Sequence, residues 1–205
     1  MEEGTLANQP LLWLEGTQSH YHTGFAAEIK VVFGPRMRPD RLLEPEEVEV
    51  YLHDPRGGKS PLSLRKKEKN WLVFSFLPQE EGALTVIGER RGEGRQYLAK
   101  TIISVGHDIV LAPTPAGLPL ELQPLSSLEV HQGDSFTLTL LGGGQPQPEG
   151  EVLATYSFNL EETFPYKRKT DAAGRATFPL EKMGNWLFVA QASGFLTTYT
   201  LLRVR

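Results

Sequence analysis

The chain repeats itself, and the repeat limits what it can fold into. Shifted by 109 positions, His22-Thr23-Gly24 falls on His131-Gln132-Gly133, Ile29 on Leu138, Val31 and Val32 on Leu140 and Leu141, Gly34 on Gly143 and Pro39 on Pro148. A second block agrees at a shift of 102: Phe76 falls on Phe178, Gly82 on Gly184, Leu84 on Trp186 and Val86 on Phe188. Self-similarity at a fixed period marks two copies of one structural unit. The two shifts differ because surface loops tolerate unequal lengths. Over 205 residues each copy has about 100, enough for a small core of its own.

Each copy reads as strands. Long runs with apolar residues at i, i+3, i+4 and i+7 are missing, and 20 glycines and 15 prolines punctuate short apolar stretches, which favours strands joined by turns. The stretch Thr170–Val189 shows this best. Asp171 can bond its own backbone two residues on, Gly174 supplies a positive φ for a tight hairpin, and Phe178 and Leu180 then share a face. Trp186-Leu187-Phe188-Val189 is apolar on both faces, the mark of a strand covered on both sides. In the first copy, strands are expected over 11–14, 25–33, 46–53, 71–77, 83–88 and 97–105. Phe25, Ala27, Ile29, Val31 and Phe33 would share one face. In the strand over 46–53, Val48, Val50 and Leu52 would point inward and Tyr51 outward.

The expected architecture is all-β: two tandem immunoglobulin-like or transthyretin-like β-sandwich domains, 1–112 and 113–205. Ala112-Pro113-Thr114-Pro115-Ala116-Gly117-Leu118-Pro119 would join them as a semi-rigid spacer, because proline biases such a segment to an extended form. A single interleaved barrel is the alternative.

Composition removes several function classes. A net charge of −4 and a pI near 5.8 leave no excess of Lys and Arg for phosphate contacts, so no nucleic-acid partner is expected. The basic runs Arg65-Lys66-Lys67-Glu68-Lys69 and Arg90-Arg91-Gly92-Glu93-Gly94-Arg95 are interrupted by acids and glycines and read as solvated hairpin tips. Without cysteine there is no disulfide, thiolate metal site or thiol nucleophile. No apolar run approaches the ~20 residues that span a bilayer, so no direct membrane insertion is expected. Met1-Glu2-Glu3-Gly4-Thr5 lacks the basic and apolar regions of a signal peptide, which fits a cytoplasmic chain or one whose signal was removed.

No local catalytic motif appears: neither Gly-x-Ser-x-Gly, nor His-Glu-x-x-His, nor a Walker loop. Gly142-Gly143-Gly144 runs into Gln145-Pro146 without a helix start and reads as a hairpin or bulge tip. The chain is therefore expected to be non-enzymatic, although a hydrolase assembled from residues distant in sequence would escape this reading. Histidine offers the one metal hypothesis. In extended backbone, His20 and His22 project to the same side about 7 Å apart. Two imidazoles seldom suffice for a divalent ion, and a third ligand would come from His107, Asp108 or His53. The plainer reading of His22, matched by His131, is a turn residue entering a strand in both copies.

A family resemblance joins these observations. Leu12-Trp13-Leu14, Gly24 with Val31-Val32-Phe33-Gly34, Lys100-Thr101, Leu120-Glu121-Leu122 with Pro124, Gly133-Asp134, the stretch Gly144–Pro148, Thr170-Asp171 with Gly174-Arg175-Ala176, and Gly184-Asn185-Trp186 resemble a family of bacterial β-sandwich proteins labelled periplasmic components of cobalt or nickel uptake systems. Its members commonly carry a histidine before Leu-Trp-Leu and another after the following Phe-Gly. This chain has Asn8-Gln9-Pro10 and Pro35 at those places. The resemblance implies a periplasmic or extracellular accessory protein for divalent metal uptake, partnered by a membrane transporter complex. Its ligand would be Co2+, Ni2+ or Zn2+, held by His20, His22 and His107. The alternative is an immunoglobulin-like interaction or adhesion module that binds protein or glycan, with Tyr21, Tyr51, Tyr97, Tyr166 and Tyr199 as contacts if they gather outside the core.

Overall fold

Glycine and proline break the chain into strands throughout the computed structural model, which describes residues 6–18, 21–53, 58–107 and 112–205. The first half supplies β1 (Leu11–Gly16), β2 (Ala27–Gly34), β3 (Glu49–His53), β4 (Lys59–Pro61), β5 (Ser63–Lys67), β6 (Trp71–Phe76), β7 (Gly82–Gly92) and β8 (Arg95–Val105). The second supplies β9 (Leu120–Pro124), β10 (Ser135–Gly142), β11 (Gln145–Pro146), β12 (Glu151–Tyr156), β13 (Tyr166–Lys169), β14 (Arg175–Pro179), β15 (Gly184–Ala192) and β16 (Phe195–Val204). Helix among the described residues is confined to two 3-10 turns, Leu6–Asn8 and Pro45–Glu47, and none is long and apolar enough to cross a membrane.

The protein is all-β, built as two immunoglobulin-like sandwiches, as the sequence predicts. The repeat is visible strand by strand. β2 lies between β1 and β6 in one small sheet, and β10 lies between β9 and β14 in the other. Their partners are joined edge to edge in one eight-stranded sheet, ordered β13-β12-β15-β16-β8-β7-β3-β4. Exchanging the halves reverses this order onto itself. The seam is the pair β16 and β8, which run parallel from Phe195 opposite Gln96 to Thr200 opposite Thr101. The expected division at 112/113 falls in the connector from β8 to β9, and the long sheet continues across it.

The two small sheets cover opposite faces of the long one, so each core draws on both halves. Trp13 and Ile29 pack in the first core with Leu187, Val189 and Leu196 from the second half. Phe136, Phe178, Trp186 and Phe188 pack in the second core with Ile87, Leu98 and Ile102 from the first. Alternation along a strand requires this: where both faces are covered, both sets of side chains must be apolar. It accounts for the doubly apolar Trp186–Val189.

It also corrects the reading of Tyr51. The side chain expected to face water is 1% exposed, because the other half's sandwich covers that face and takes it into the second core. Phe25 departs in the opposite sense. It precedes β2 rather than joining its buried face, and is 72% exposed.

Two turns have the chemistry that the sequence predicts, one of them in a different role. Asp171 Oδ1 accepts from the N–H groups of Ala173 and Arg175, both at 2.9 Å, and Gly174 has φ +72. The turn links β13 to β14, which belong to different sheets, so it is a sheet-to-sheet corner rather than a hairpin. Gly143 and Gly144, at φ +55 and +79, form the expected tip between β10 and β11.

Candidate functional site

Three of the four described histidines, His22, His107 and His131, gather at one end of the long sheet, where β8 and β16 both terminate. The segment after β1 is laid along the end of β8: Tyr21 bridges to Val105, and the Gly106 N–H donates to the Tyr21 carbonyl at 2.9 Å. The Gly24 N–H donates to the Pro78 carbonyl at 3.0 Å. These bonds set His22 against His107, with ring centroids 5.8 Å apart and planes at 62°. Both imidazoles are exposed. Gly106, at φ +91, has the Glu81 side chain folded over it, so a Cβ there would meet the carboxyl group.

The predicted set His20, His22 and His107 is thus brought together in two of its members, while His20 and Asp108 lie outside the described residues. His53 closes β3, two strands from β8, with Lys59 opposite it. Among the described residues no group of three or more His, Asp or Glu has the geometry to hold a metal ion. A bound ion would need a further ligand beyond His22 and His107.

His131 occupies the turn before β10. Its backbone N–H donates to Asp134 Oδ2 at 2.8 Å and its Nδ1 lies 3.8 Å from the same oxygen. This is the turn role that the plainer reading assigns to it. His107 and His131 line one cleft of about 350 Å³ between the ends of the two halves, along with Arg203 and Arg205.

The tyrosines do not form an exposed patch. Tyr21, Tyr51, Tyr97 and Tyr199 are buried. Burial and its bond to Glu93 push the Tyr97 phenol up to about 12, and burial alone pushes Tyr199 up. Tyr166 is half-buried against Trp186.

Among the described residues, the two most exposed large apolar side chains lie in the loop after β12. Phe158 is 93% and Leu160 86% exposed, and Phe158 holds φ +67, a left-handed conformation that costs an aromatic residue about 1–2 kcal/mol. Asn159 between them is buried and holds the loop in shape. Its Nδ2 donates to Thr155 Oγ1 at 3.1 Å and to the Thr163 carbonyl at 3.4 Å, while its Oδ1 accepts from the Glu161 N–H at 3.0 Å. Arg38 of the other half donates to the carbonyls of Asn159 and Glu161, at 3.0 and 3.3 Å. Phe164 packs the base of the loop against the first core. The sequence reading passed over this loop. The available signal was Phe158 and Leu160 alternating with Ser157, Asn159 and Glu161, the period of a half-buried strand, in a stretch that forms none.

The model of a family described as a domain of unknown function (DUF4198) matches residues 11–194. Among the curated proteins none matches. Several solved structures are similar. The D0-D1 domain of intimin aligns at 12% identity and a TM-score of 0.30, covering 96% of this chain and 99% of that one. FdeC, an Escherichia coli adhesin, aligns at 15% and 0.31, covering 97% and 65%. A DUF4785 family protein from Legionella pneumophila aligns at 14% and 0.35, covering 93% and 54%.

Proposed function

We infer that this chain, which belongs to the DUF4198 family, is a non-catalytic interaction module that holds a protein partner through the loop 157–165. The observation that carries this reading is the loop itself. Two large apolar side chains are displayed to solvent on a strained backbone that a buried asparagine and an arginine from the other half keep in place. A loop that merely connected strands would gain nothing from that strain. A loop preorganised to insert Phe158 and Leu160 into a partner's pocket loses little entropy on binding. Glu161 and Glu162 beside them, both exposed, suit a pocket with a basic rim.

The test is a photo-reactive phenylalanine analogue in place of Phe158, irradiated in cells that express the protein, with Lys167 replaced likewise as the control. A discrete cross-linked protein seen only from position 158 is expected. Its affinity should fall at least about tenfold for Phe158→Asp. Equal labelling from both positions would sink the proposal. The reading extends to a periplasmic or extracellular location, where a chain without cysteine has no thiol to oxidise.

A second reading, divalent metal binding in support of cobalt or nickel uptake at a transporter, rests on the His22–His107 pair. Titration calorimetry with Co2+, Ni2+ and Zn2+, alongside histidine NMR spectra, tests it. Selective perturbation of those two imidazoles at micromolar metal supports it. Absence of heat together with unchanged histidine signals removes it.

A further inference from the structure

Lys100 stands on β8 of the first half, but its side chain enters the second core, where it is 1% exposed. Its Nζ donates to Glu121 Oε1 and to Gln123 Oε1, both at 2.5 Å. Both acceptors are on β9, on the far side of the proline-rich connector, and are themselves 1% and 6% exposed. Glu121 also accepts from the backbone N–H groups of Ala116, Gly117 and Leu118 at 2.8, 3.0 and 3.2 Å. Gln123 Nε2 donates to the Pro113 carbonyl at 2.7 Å.

We propose that Lys100 and Gln123 join covalently: an intramolecular transamidation forms an Nζ–Cδ amide, releases ammonia and staples the first half to the second. The geometry carries the argument. With Nζ 2.5 Å from Oε1 and a C=O bond of about 1.23 Å, Nζ lies at most about 3.7 Å from Cδ, at the edge of the range from which a held nucleophile attacks. Burial pushes the lysine pKa down, against the opposing pull of Glu121, and so favours the free amine that the reaction needs. Glu121, fixed in place by three backbone N–H groups with its Oε1 2.5 Å from Nζ, is placed to act as the base. The site excludes water, the competing nucleophile.

The steps balance. Glu121 takes a proton from the Lys100 ammonium, and the Nζ lone pair then adds to Cδ. As the tetrahedral centre collapses, the Cδ–Nε2 bond breaks. Glu121 first hands its proton to Nε2, which leaves as ammonia beside the Pro113 carbonyl, and then takes the second proton that Nζ sheds and passes it to that ammonia. One ammonium ion is produced for each amide formed.

A plain buried ion pair with a hydrogen-bonded glutamine is the competing account, and intact mass separates the two. The folded wild-type chain is expected to be about 17 Da lighter than its sequence requires, the mass of the ammonia lost. No Lys or Arg lies between Lys100 and Lys167. Trypsin should therefore leave Gln96–Lys167 as one fragment carrying the deficit, since it does not cut after an acylated lysine. Lys100→Arg keeps the charge and should restore the full mass, as should Gln123→Leu. Full wild-type mass with ordinary cleavage after Lys100 overturns the proposal. So does a loss of about 18 Da, which would mean water expelled and Glu121 as the acyl donor. Because the decisive mass is that of the wild type, the outcome stands even if a variant fails to fold.

Discussion

Thr198 donates its hydroxyl proton to the carbonyl oxygen of Leu12 at 2.6 Å, fastening the last strand to the first across 186 residues of sequence. Both residues are buried, and the bond crosses from one repeat to the other. With the parallel seam of β8 and β16 and the two mixed cores, it makes the halves 1–112 and 113–205 interdependent. We therefore expect them to unfold together. Urea unfolding followed through Trp13 alone and through Trp186 alone, the other tryptophans being replaced by phenylalanine, should give coincident transitions. Thr198→Val should lower the stability seen by both probes by about 1–2 kcal/mol, the cost of a buried carbonyl left without its donor. Separate midpoints for the two probes would mean that the halves are independent domains.

Glu89 gathers three donors: the Tyr51 hydroxyl, Lys59 Nζ at 3.1 Å and Gln96 Nε2 at 2.9 Å. Partial burial pushes its pKa up, but these bonds together outweigh burial and hold the carboxyl below its ordinary value of 4.5. A carboxylate with a depressed folded-state pKa binds fewer protons in the folded than in the unfolded chain. Its stabilisation is therefore complete above pH 4.5 and is lost as pH falls through the folded value. Tyr51 acts at the other extreme. Burial first and then Glu89 push its phenol above 10, so its contribution is complete below pH 10 and is lost as pH rises beyond that. Glu89→Gln should cost about 1–2 kcal/mol at pH 7 and flatten the acid limb of a stability-against-pH curve measured by denaturant. An acid limb identical to that of the wild type would refute this.

The local chemistry of the fold was legible, and its assembly was not. Asp171 and Gly174 announced their turn, and Gly143 and Gly144 theirs, because a turn is written in neighbouring residues. Trp186–Val189 announced a strand covered on both sides. What covers it could not be read, since a small sheet and a long sheet make the same local demands on a strand. Tyr51 was assigned outward for this reason: Glu47 and Glu49 beside it look solvated, and the sandwich that buries Tyr51 comes from the other repeat. The histidine pair was half legible. His22 and His107 were named from residue type, but their 5.8 Å approach depends on Tyr21 pairing with Val105, a contact with no sequence period. Phe158 and Leu160 were missed because an apolar pair in a loop ordinarily signals a strand end.

Gly16 sits against the Tyr21 ring, and a Cβ there would collide with the phenol oxygen. That hydroxyl is buried against the backbone of Thr17 and Gln18, so the ring has no free space to move into. Tyr21 in turn aligns the segment that brings His22 to His107. Gly16→Ala should force the ring aside at a cost of about 1–3 kcal/mol. It should also shift the His22 and His107 signals in a proton–nitrogen spectrum, while leaving His131, which is held by its own Asp134 turn, where it is. A stability loss with unmoved His22 signals would show that Tyr21 does not position the pair.

Phe158 gives a prediction whose sign separates display from packing. An ordinary Phe→Gly change in a folded protein is destabilising, because buried surface is lost and the unfolded chain gains freedom. Here almost no surface is buried, since the ring is 93% exposed, and glycine adopts φ +67 without the strain that an aromatic side chain carries there. Relief of strain opposes the added chain entropy, which for glycine is about 0.5–1 kcal/mol. The net change for Phe158→Gly should be between zero and a gain of about 1 kcal/mol. Arg38→Ala, which removes the clamp on the carbonyls of Asn159 and Glu161, should leave global stability within about 0.5 kcal/mol yet speed amide exchange of Glu161. Chemical denaturation and hydrogen exchange check the two. A loss above about 2 kcal/mol for Phe158→Gly would mean that the ring packs in solution, and the loop would then no longer qualify as a surface held ready for a partner.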